Sequence, residues 1–230
     1  MFPKIVVFTG IDGSGKTSHS GAIKEYLVGR GFLVNYVHQF APSIRYIRKL
    51  KRTFTYLLGG VEANLIRPGT IEQDKYCHAM RRNRFLIKMA QNLIVIYSLA
   101  IGLARTWLKI MLSINRDVVI FDRYYIDEII RLEWKFGINL YKLGWTCSLI
   151  PSPYCMFFLE LSPEVAWGRK ETGSLSKILF WEKNERYIKW IRRVGKTWKV
   201  LSICTDKESF HESQRRIRVM LSLENRAQDR

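Results

Sequence analysis

One segment near the start of the chain constrains its fold more than any other feature. Residues 10–17 read Gly-Ile-Asp-Gly-Ser-Gly-Lys-Thr and match the pattern G-x-x-x-x-G-K-[ST] in full. The segment follows a short apolar run, residues 4–9, and precedes a helical pattern that stops at Gly29-Arg30-Gly31. A strand, a glycine-rich loop and a helix in this order predict a loop that turns its backbone N–H groups toward an anion.

Each position of this loop has an expected role. Its glycines allow the backbone angles that direct successive N–H groups at one phosphate. Lys16 is expected to reach the β- and γ-phosphates, with its side chain exposed to them and outside the core, and the Thr17 hydroxyl is expected to coordinate Mg²⁺. The loop therefore predicts a nucleoside triphosphate site with Mg²⁺ as its cofactor. The residues predicted to bind the nucleotide are Gly10, Asp12, Gly13, Ser14, Gly15, Lys16, Thr17 and Ser18.

The rest of the chain alternates between apolar runs and helical patterns. Further strands are predicted at residues 32–38, 117–121, 154–161 and 198–204. Continuously apolar strands separated by helices are typical of a parallel sheet covered on both faces, so the predicted fold class is α/β. With 230 residues, 47% of them hydrophobic, the chain is long enough for one large core, and we interpret 1–230 as a single domain.

The chain is strongly basic. Thirty-eight Lys and Arg against 20 Asp and Glu give a net charge of +18, which favours an acidic partner. Residues 41–90 carry +8 and residues 169–199 carry +7, and both segments follow predicted strands. Because loops at the carboxyl ends of parallel strands form the ligand crevice, we expect this charge to surround a phosphate-bearing ligand. A nucleic acid or an anionic membrane surface is a less favoured partner.

One apolar stretch bears on the location of the protein. Residues 89–104 carry no charge, but Gln91, Asn92 and Ser98 interrupt them, and a spanning helix needs about 20 apolar residues. We interpret the stretch as a buried helix of a soluble domain and as a candidate homodimer interface. Four scattered cysteines without a C-x-x-C pair are typical of reduced thiols, and no signal peptide is recognisable, so a cytoplasmic protein is expected.

A second polar group follows the strand predicted at 117–121. Asp122 stands at the tip of this strand, where a carboxylate is placed to hold a water on Mg²⁺, and Arg123 beside it can clamp a phosphate through two parallel hydrogen bonds. The guanine-reading Asn-Lys-x-Asp of a GTPase does not occur in the sequence. A compact domain with these two groups favours a small-molecule kinase.

Taken together, the motifs resemble the thymidylate kinase family of P-loop nucleoside monophosphate kinases. The matching segments follow the family order along nearly the whole chain: the phosphate loop at 8–18, the D-R-[YH] motif at 122–124, the segment around the fourth strand at 159–170, and the helix after the lid at 185–190. The resemblance implies a P-loop kinase with a five-stranded parallel sheet in the order 2-3-1-4-5, flanked by helices. It also implies an acceptor-side helical region at about 41–114 and a short lid at about 170–181.

The resemblance further implies an activity and the residues that perform it. ATP would donate its γ-phosphoryl group to a deoxynucleoside monophosphate, with thymidylate favoured, in nucleotide biosynthesis. Lys16, Asp122 and Arg123 would be catalytic, and Thr17 and Asp122 would hold Mg²⁺. Arg169 would join the donor site, and the acceptor contacts would be Asp12, Arg84, Arg105, Arg123 and Tyr124. Since the phosphate loop contains no arginine, further cations are expected from Arg123, Arg169, Lys170 or Lys177.

Two other functions stay open at the level of the sequence. A P-loop kinase can instead phosphorylate a hydroxyl of a nucleoside, sugar or lipid head group, which usually requires a carboxylate base. Asp12 or Asp122 is available for that role, whereas His38, at the end of the second strand, is expected to be polar lining of the site. A basic nucleotide-binding module without kinase activity would also account for the charge.

Overall fold

The computed structural model describes residues 2–38, 84–169 and 177–221. Its sheet contains five parallel strands: β1 (Lys4–Thr9), β2 (Val34–His38), β3 (Val118–Asp122), β4 (Cys155–Glu160) and β5 (Val200–Cys204). The strands lie in the order β2-β3-β1-β4-β5. This arrangement confirms the predicted α/β class and strand order, and each strand begins and ends within two residues of its predicted bounds.

Helices connect the strands and cover both faces of the sheet. They are α1 (Lys16–Gly29), α2 (Arg84–Met111), α3 (Tyr125–Phe136), α4 (Pro163–Arg169), α5 (Lys177–Val194) and α6 (Phe210–Leu221), with a 3₁₀ helix at Tyr141–Leu149. Local sequence sets the ends of α3. The Asp127 carboxylate accepts the Tyr124 N–H in a capping box, and Gly137 ends the helix with a left-handed φ of 64°.

The alternation of side chains along the strands divides the core into two layers. On one face Val7, Val119 and Phe121 belong to a cluster that also contains residues of α2, α3 and α5. On the other face Val6 and Phe8 belong to a second cluster, with residues of α1 and α6. Both faces of the central strands are therefore buried, which is why these strands are apolar at almost every position.

Helix α2 buries only one of its faces. Ile94, Leu99 and Ile110 are buried, whereas Leu93 and Ile96, on another side of the helix, are exposed. Within the described residues, α2 contains the single segment long and apolar enough to cross a membrane, Asn92–Met111, a test that core helices of soluble proteins also pass. The expectation of a buried helix is thus correct for one face and wrong for the other, because the apolar residues of α2 surround the whole helix instead of forming one stripe.

The register of the sheet brings three strand ends together. Phe8 of β1 and His38 of β2 both pair with Asp122, the last residue of β3. The phosphate loop follows β1 directly, so the loop and Asp122 share the carboxyl edge of the sheet. The predicted acceptor-side region at 41–114 and the lid at 170–181 fall partly on residues 39–83 and 170–176, which lie outside the described residues.

Candidate functional site

The loop between β1 and α1 requires glycine at its first position. Gly10 has a φ of 146°, and a Cβ atom there would lie 2.5 Å from the carbonyl oxygen of Leu159 in β4. Gly15, with a φ of 80°, is the N-cap of α1. The loop is therefore held against the sheet at one end and continues into the N-terminus of a helix at the other, which is the arrangement that binds phosphate through backbone N–H groups.

Lys16 lies across this loop. Its Nζ donates to the carbonyl oxygen of Ile11 at 2.6 Å and to Ser14 Oγ at 3.4 Å, and the residue is only 5% exposed. The loop wraps around the ammonium group, so Lys16 is shielded from solvent, and its contact with the phosphates stays a prediction. Burial, together with the charge of Arg123, lowers the pKa of Lys16 to about 8.

Asp122 is the centre of a hydrogen-bond network at the end of β3. Its Oδ2 accepts from Thr17 Oγ1 at 2.8 Å and from Tyr36 Oη at 3.1 Å, and it lies 2.8 Å from His38 Nδ1. The carboxylate is completely buried, yet Oδ1 has no hydrogen-bond partner among the described residues. A buried carboxylate oxygen without a partner is costly, so this atom is suited to a water or cation that arrives with a ligand.

These residues fit a magnesium ion held largely by phosphate. Mg²⁺ prefers oxygen ligands, keeps several waters and takes few protein groups when a nucleotide supplies the others. The Thr17 hydroxyl and the unpartnered Asp122 Oδ1 would provide one direct ligand and one acceptor for a metal-bound water. Within the described ranges no cluster of three His, Cys, Asp or Glu side chains offers an alternative site made of protein alone.

Asp12, inside the phosphate loop, holds two cations. Its Oδ1 accepts from Arg123 Nη2 at 2.5 Å, and its Oδ2 accepts from Lys183 Nζ of α5 at 2.8 Å. Burial by itself would raise the pKa of Asp12, but the charges of Lys183 and Arg123 outweigh this and leave the pKa far below its usual value. Asp12 is therefore a stable anion that keeps two cations beside the loop.

The backbone holds Arg123 in a strained conformation. Arg123 has a φ of 78° and is the one residue other than glycine with positive φ in the described part of the chain. Its N–H donates to the carbonyl oxygen of Phe8 at 3.0 Å, which fixes the turn after β3. Such a conformation costs on the order of 1 kcal/mol in a residue with a side chain, and here it directs the guanidinium group toward Asp12.

A buried acid, Asp127, connects β1 to α5 beside Arg123 and Asp12. Asp127 of α3 is buried, and its Oδ1 accepts from Thr9 Oγ1 and from Tyr187 Oη, each at 2.9 Å. Burial raises the pKa of Asp127, although the charge of Arg123 and the hydrogen bonds act in the opposite direction. Tyr187 belongs to α5, so this contact joins the helix that carries Lys183 to the end of β1.

The structure does not bring all the predicted residues together. Tyr124, a predicted acceptor contact, is buried in the core, and its hydroxyl donates to the Pro151 carbonyl at 2.8 Å. Arg105 is half-buried on α2, one turn after Gly102, which packs against α3, and its role as an acceptor contact stays a prediction. The roles of Arg84, Arg169 and Lys177 stay predictions, because these residues stand at helix ends where the structure describes the backbone and not the side chain.

Lys183 is the main site residue that the sequence analysis missed. It stands on the same side of α5 as the buried residues Phe180, Tyr187 and Trp190, at spacings of three and four residues. A lysine in the buried stripe of a helix is unusual, because lysine is rarely buried without a partner. That position is the signal that identifies it, although only the tertiary structure reveals its partner, Asp12.

Comparisons with known proteins support this fold. The structure is similar to deoxyadenosine kinase from M. mycoides with bound dCTP, with a TM-score of 0.54 and 13% identity over 94% of this chain and 98% of the other. It is equally similar to thymidylate kinase from Ehrlichia chaffeensis, with a TM-score of 0.54 and 15% identity over 96% and 100% of the two chains. No protein-family model matches the sequence, and a comparison with curated protein sequences gives no match. The chain thus has the P-loop kinase fold, at a low level of sequence identity.

Two glycine substitutions test the geometry of the loop. We expect Gly10→Ala to abolish ATP binding and to destabilise the protein by about 2 kcal/mol or more, because the new methyl group meets the Leu159 carbonyl and the residue has positive φ. Binding is measured by isothermal titration calorimetry and stability by urea unfolding.

Gly21→Ala is the matched control for this change. Gly21 is inside α1, and apart from its chain neighbours and the backbone of its own helix nothing lies within 4 Å of the position of its Cβ. We expect the control to keep ATP binding and to gain up to about 1 kcal/mol of stability from helix propensity. Normal ATP binding by Gly10→Ala would contradict this assignment of the loop.

Proposed function

We propose that this protein is a cytoplasmic, ATP-dependent kinase that transfers the γ-phosphoryl group to a deoxynucleoside monophosphate, with thymidylate as the favoured acceptor, in nucleotide biosynthesis. The observation that carries the proposal is the pair of cations, Arg123 and Lys183, held on Asp12 beside a complete phosphate loop. The similar structures support a P-loop nucleotide kinase by fold: one is a thymidylate kinase, the kind of enzyme proposed here, and two are structures of a deoxyadenosine kinase, with bound dCTP or with the products dCMP and dCDP.

The donor half of the reaction follows from the loop and α1. Backbone N–H groups at the N-terminus of α1 bind the phosphates, and Lys16 neutralises their charge from the buried side of the loop. Thr17 and, through a water, Asp122 would hold Mg²⁺, and the ion would supply positive charge beside the phosphates. The Thr17–Asp122 hydrogen bond keeps both ligands oriented before the nucleotide arrives.

The acceptor half follows from Arg123 and Lys183. A monophosphate brings negative charge to the crevice, and phosphoryl transfer is catalysed mainly by positioning and by neutralisation of that charge. Asp12 keeps the two cations at the mouth of the loop, so they are available between donor and acceptor phosphates. The phosphate loop has no arginine of its own, and we propose that Lys183 provides the missing charge, with Arg169 and Lys177 as further cations from the lid side.

Replacement of Lys16 tests the donor site. We expect Lys16→Met to abolish phosphoryl transfer in a panel of nucleoside monophosphates, nucleosides and sugars, while the protein stays folded because methionine fills the buried space without a charge. The products are identified by the mass shift of the acceptor, and folding is checked by circular dichroism.

Lys24→Met, on the exposed surface of the same helix, is the control and should keep full activity. Transfer by Lys16→Met at the rate of the unaltered protein would contradict the kinase proposal. If the unaltered protein binds ATP but phosphorylates no member of the panel, the proposal of a nucleotide-binding module without kinase activity replaces the kinase proposal.

Replacement of Lys183 tests the second cation. We expect Lys183→Met to lower kcat by roughly 100-fold, in the range found when one preorganised charge is removed from an active site. The dissociation constant of ATP should change little, since the loop and Lys16 hold the donor.

Lys189→Met is the control for this variant, because Lys189 lies on the exposed side of α5 against the ring of Tyr141. A kcat for Lys183→Met equal to that of the control would show that the Asp12–Lys183 ion pair is only structural.

One observation favours a hydroxyl acceptor as the second candidate. His38 Nδ1 and the buried Asp122 carboxylate lie 2.8 Å apart at the end of β2, where a base for a hydroxyl would be positioned. Asp12 is less suited to that role, because a carboxylate with a strongly lowered pKa accepts a proton poorly. Replacements of Arg123 and of His38 therefore distinguish the two acceptor classes.

For a monophosphate acceptor we expect Arg123→Lys to depress turnover strongly, because lysine cannot form the two parallel hydrogen bonds that arginine makes with phosphate. ATP affinity should be nearly unchanged. His38→Ala is measured in the same acceptor assay, because His38 belongs to the pair proposed as the base for a hydroxyl. If the arginine change is harmless and the histidine change is fatal, the hydroxyl-kinase function replaces the monophosphate-kinase function.

We also propose that two copies of the protein associate through α2. Its exposed face presents Leu93, Ile96, Leu108 and Met111, with the small residues Ala100 and Ala104 between them. This stripe carries no charge, so two copies can pack antiparallel about a two-fold axis without repulsion.

We expect Ile96→Glu to convert a dimer into a monomer in sedimentation velocity, since each copy would bury a carboxylate without a partner in the apolar interface. Val219→Glu, at an exposed apolar position of α6, should leave the dimer intact. A monomer of the unaltered protein at all concentrations would contradict the proposed interface.

A further inference from the structure

The edge of the sheet where the strands begin lies opposite the candidate site. Backbone hydrogen bonds join these strand entries into one row. Asp117 N–H donates to the Leu33 carbonyl and Lys4 N–H to the Asp117 carbonyl, both at 2.9 Å, and Tyr154 N–H donates to the Ile5 carbonyl at 2.8 Å. We call the surface formed by the connecting segments along this row the basal face. Its segments are residues 2–4, 30–33, 112–117, 149–154 and 195–199.

The basal face exposes large apolar side chains. Leu112 is 70% exposed and Phe2 is 62% exposed, and the side chains of Leu33, Ile114 and Leu149 are also exposed. Phe2 and Leu149 line one open groove with Trp107 and Tyr154, so these side chains are neighbours and not isolated exceptions. Single exposed apolar residues are ordinary, but several large ones on one surface mark an interaction site.

The same face is basic. Its five segments contain five Lys or Arg and one acidic residue, Asp117, a net charge of +4. Asp117 Oδ2 accepts the Leu33 N–H at 2.8 Å and so helps to build the row. Lys4 Nζ and Lys199 Nζ lie 4.6 and 5.7 Å from the centre of the Tyr154 ring, which places two cations beside the apolar groove. Part of the charge expected around the ligand is therefore at the opposite edge of the sheet.

Exposed apolar side chains together with a net positive charge favour one class of partner over the others. A second copy of the chain would bring two positive faces together, which charge repulsion opposes. A nucleic acid would use the cations, but exposed leucine and isoleucine side chains have no favourable partner on a sugar–phosphate backbone. A bilayer with anionic head groups satisfies both components, because apolar side chains enter the boundary of the acyl chains while Lys and Arg contact the head groups.

We propose that the basal face docks the protein on an anionic lipid membrane. In this orientation the carboxyl edge of the sheet, with the phosphate loop and Asp122, faces away from the bilayer and is open to nucleotides from solution. The proposal depends on the surface of the fold and not on the identity of the acceptor, so it is tested separately from the proposed kinase activity.

The test is co-sedimentation of the full chain with lipid vesicles. We expect binding to phosphatidylcholine vesicles that contain about one third phosphatidylglycerol, little binding to phosphatidylcholine alone, and weaker binding as salt increases. Arg116→Gln combined with Lys199→Gln should weaken binding on the order of 20-fold, since each cation near an anionic surface contributes about fivefold. Leu112→Ser combined with Leu149→Ser should weaken it further at high salt, where the apolar component dominates.

The control variant also loses two positive charges, but at positions outside the basal face. Lys88→Gln combined with Lys207→Gln changes exposed residues near the start of α2 and beyond the end of β5, and it should keep membrane binding. All variants alter exposed side chains, and their thermal unfolding is compared with that of the unaltered protein to confirm that they fold.

Three results would overturn the proposal. One is an equal loss of vesicle binding in the control variant, which would assign the effect to overall charge. The second has two parts: the double leucine variant binds vesicles as well as the unaltered protein, and the Arg116/Lys199 double variant loses an RNA or DNA mobility shift that the unaltered protein shows. Together these would indicate that the partner is a nucleic acid. The third is a self-association that the leucine pair abolishes in sedimentation velocity, which would indicate a second copy.

Discussion

The Asp122 carboxylate is the interaction on which the site depends. It is completely buried at the end of β3 and accepts hydrogen bonds from α1 through Thr17 and from β2 through Tyr36, with His38 at the same oxygen. Because burying a charge without partners is expensive, these contacts must form together, and they fix the phosphate loop relative to two neighbouring strands. The parallel register makes this possible, since Phe8, His38 and Asp122 reach the same edge.

A second ionic group links the phosphate loop to α5. Asp12 joins Arg123 of the β3 turn to Lys183 of α5, and Asp127 joins Thr9 of β1 to Tyr187 of the same helix. Asp12 and the more deeply buried Asp127 thus each connect α5 to the site. The strained backbone of Arg123 is consistent with this arrangement, because such a conformation persists only where the surrounding contacts over-determine it.

The surfaces of the molecule differ in chemistry. The exposed stripe of α2 is apolar and uncharged, whereas the basal face combines apolar side chains with lysine and arginine. The first suits association of identical chains, for which charge would be a liability, and the second suits an anionic surface. A basic chain of this composition therefore does not require a single explanation for its charge, part of which lies far from the phosphate loop.

The sequence by itself determined the strands and the phosphate loop, and its resemblance to thymidylate kinases implied the strand order. Continuous apolar strands, a complete glycine-rich motif and Asp122 after the third strand are local patterns, and local patterns are set by backbone geometry and by burial on both faces of a sheet. Only the tertiary structure placed Lys183 on Asp12, buried Lys16 under its own loop, and turned Tyr124 into the core. Lys183 and Asp12 are 171 residues apart, so their contact depends on how α5 packs across the sheet. It also separated the two faces of α2, because a helix that is apolar on all sides gives no indication in its sequence of which side the core will cover.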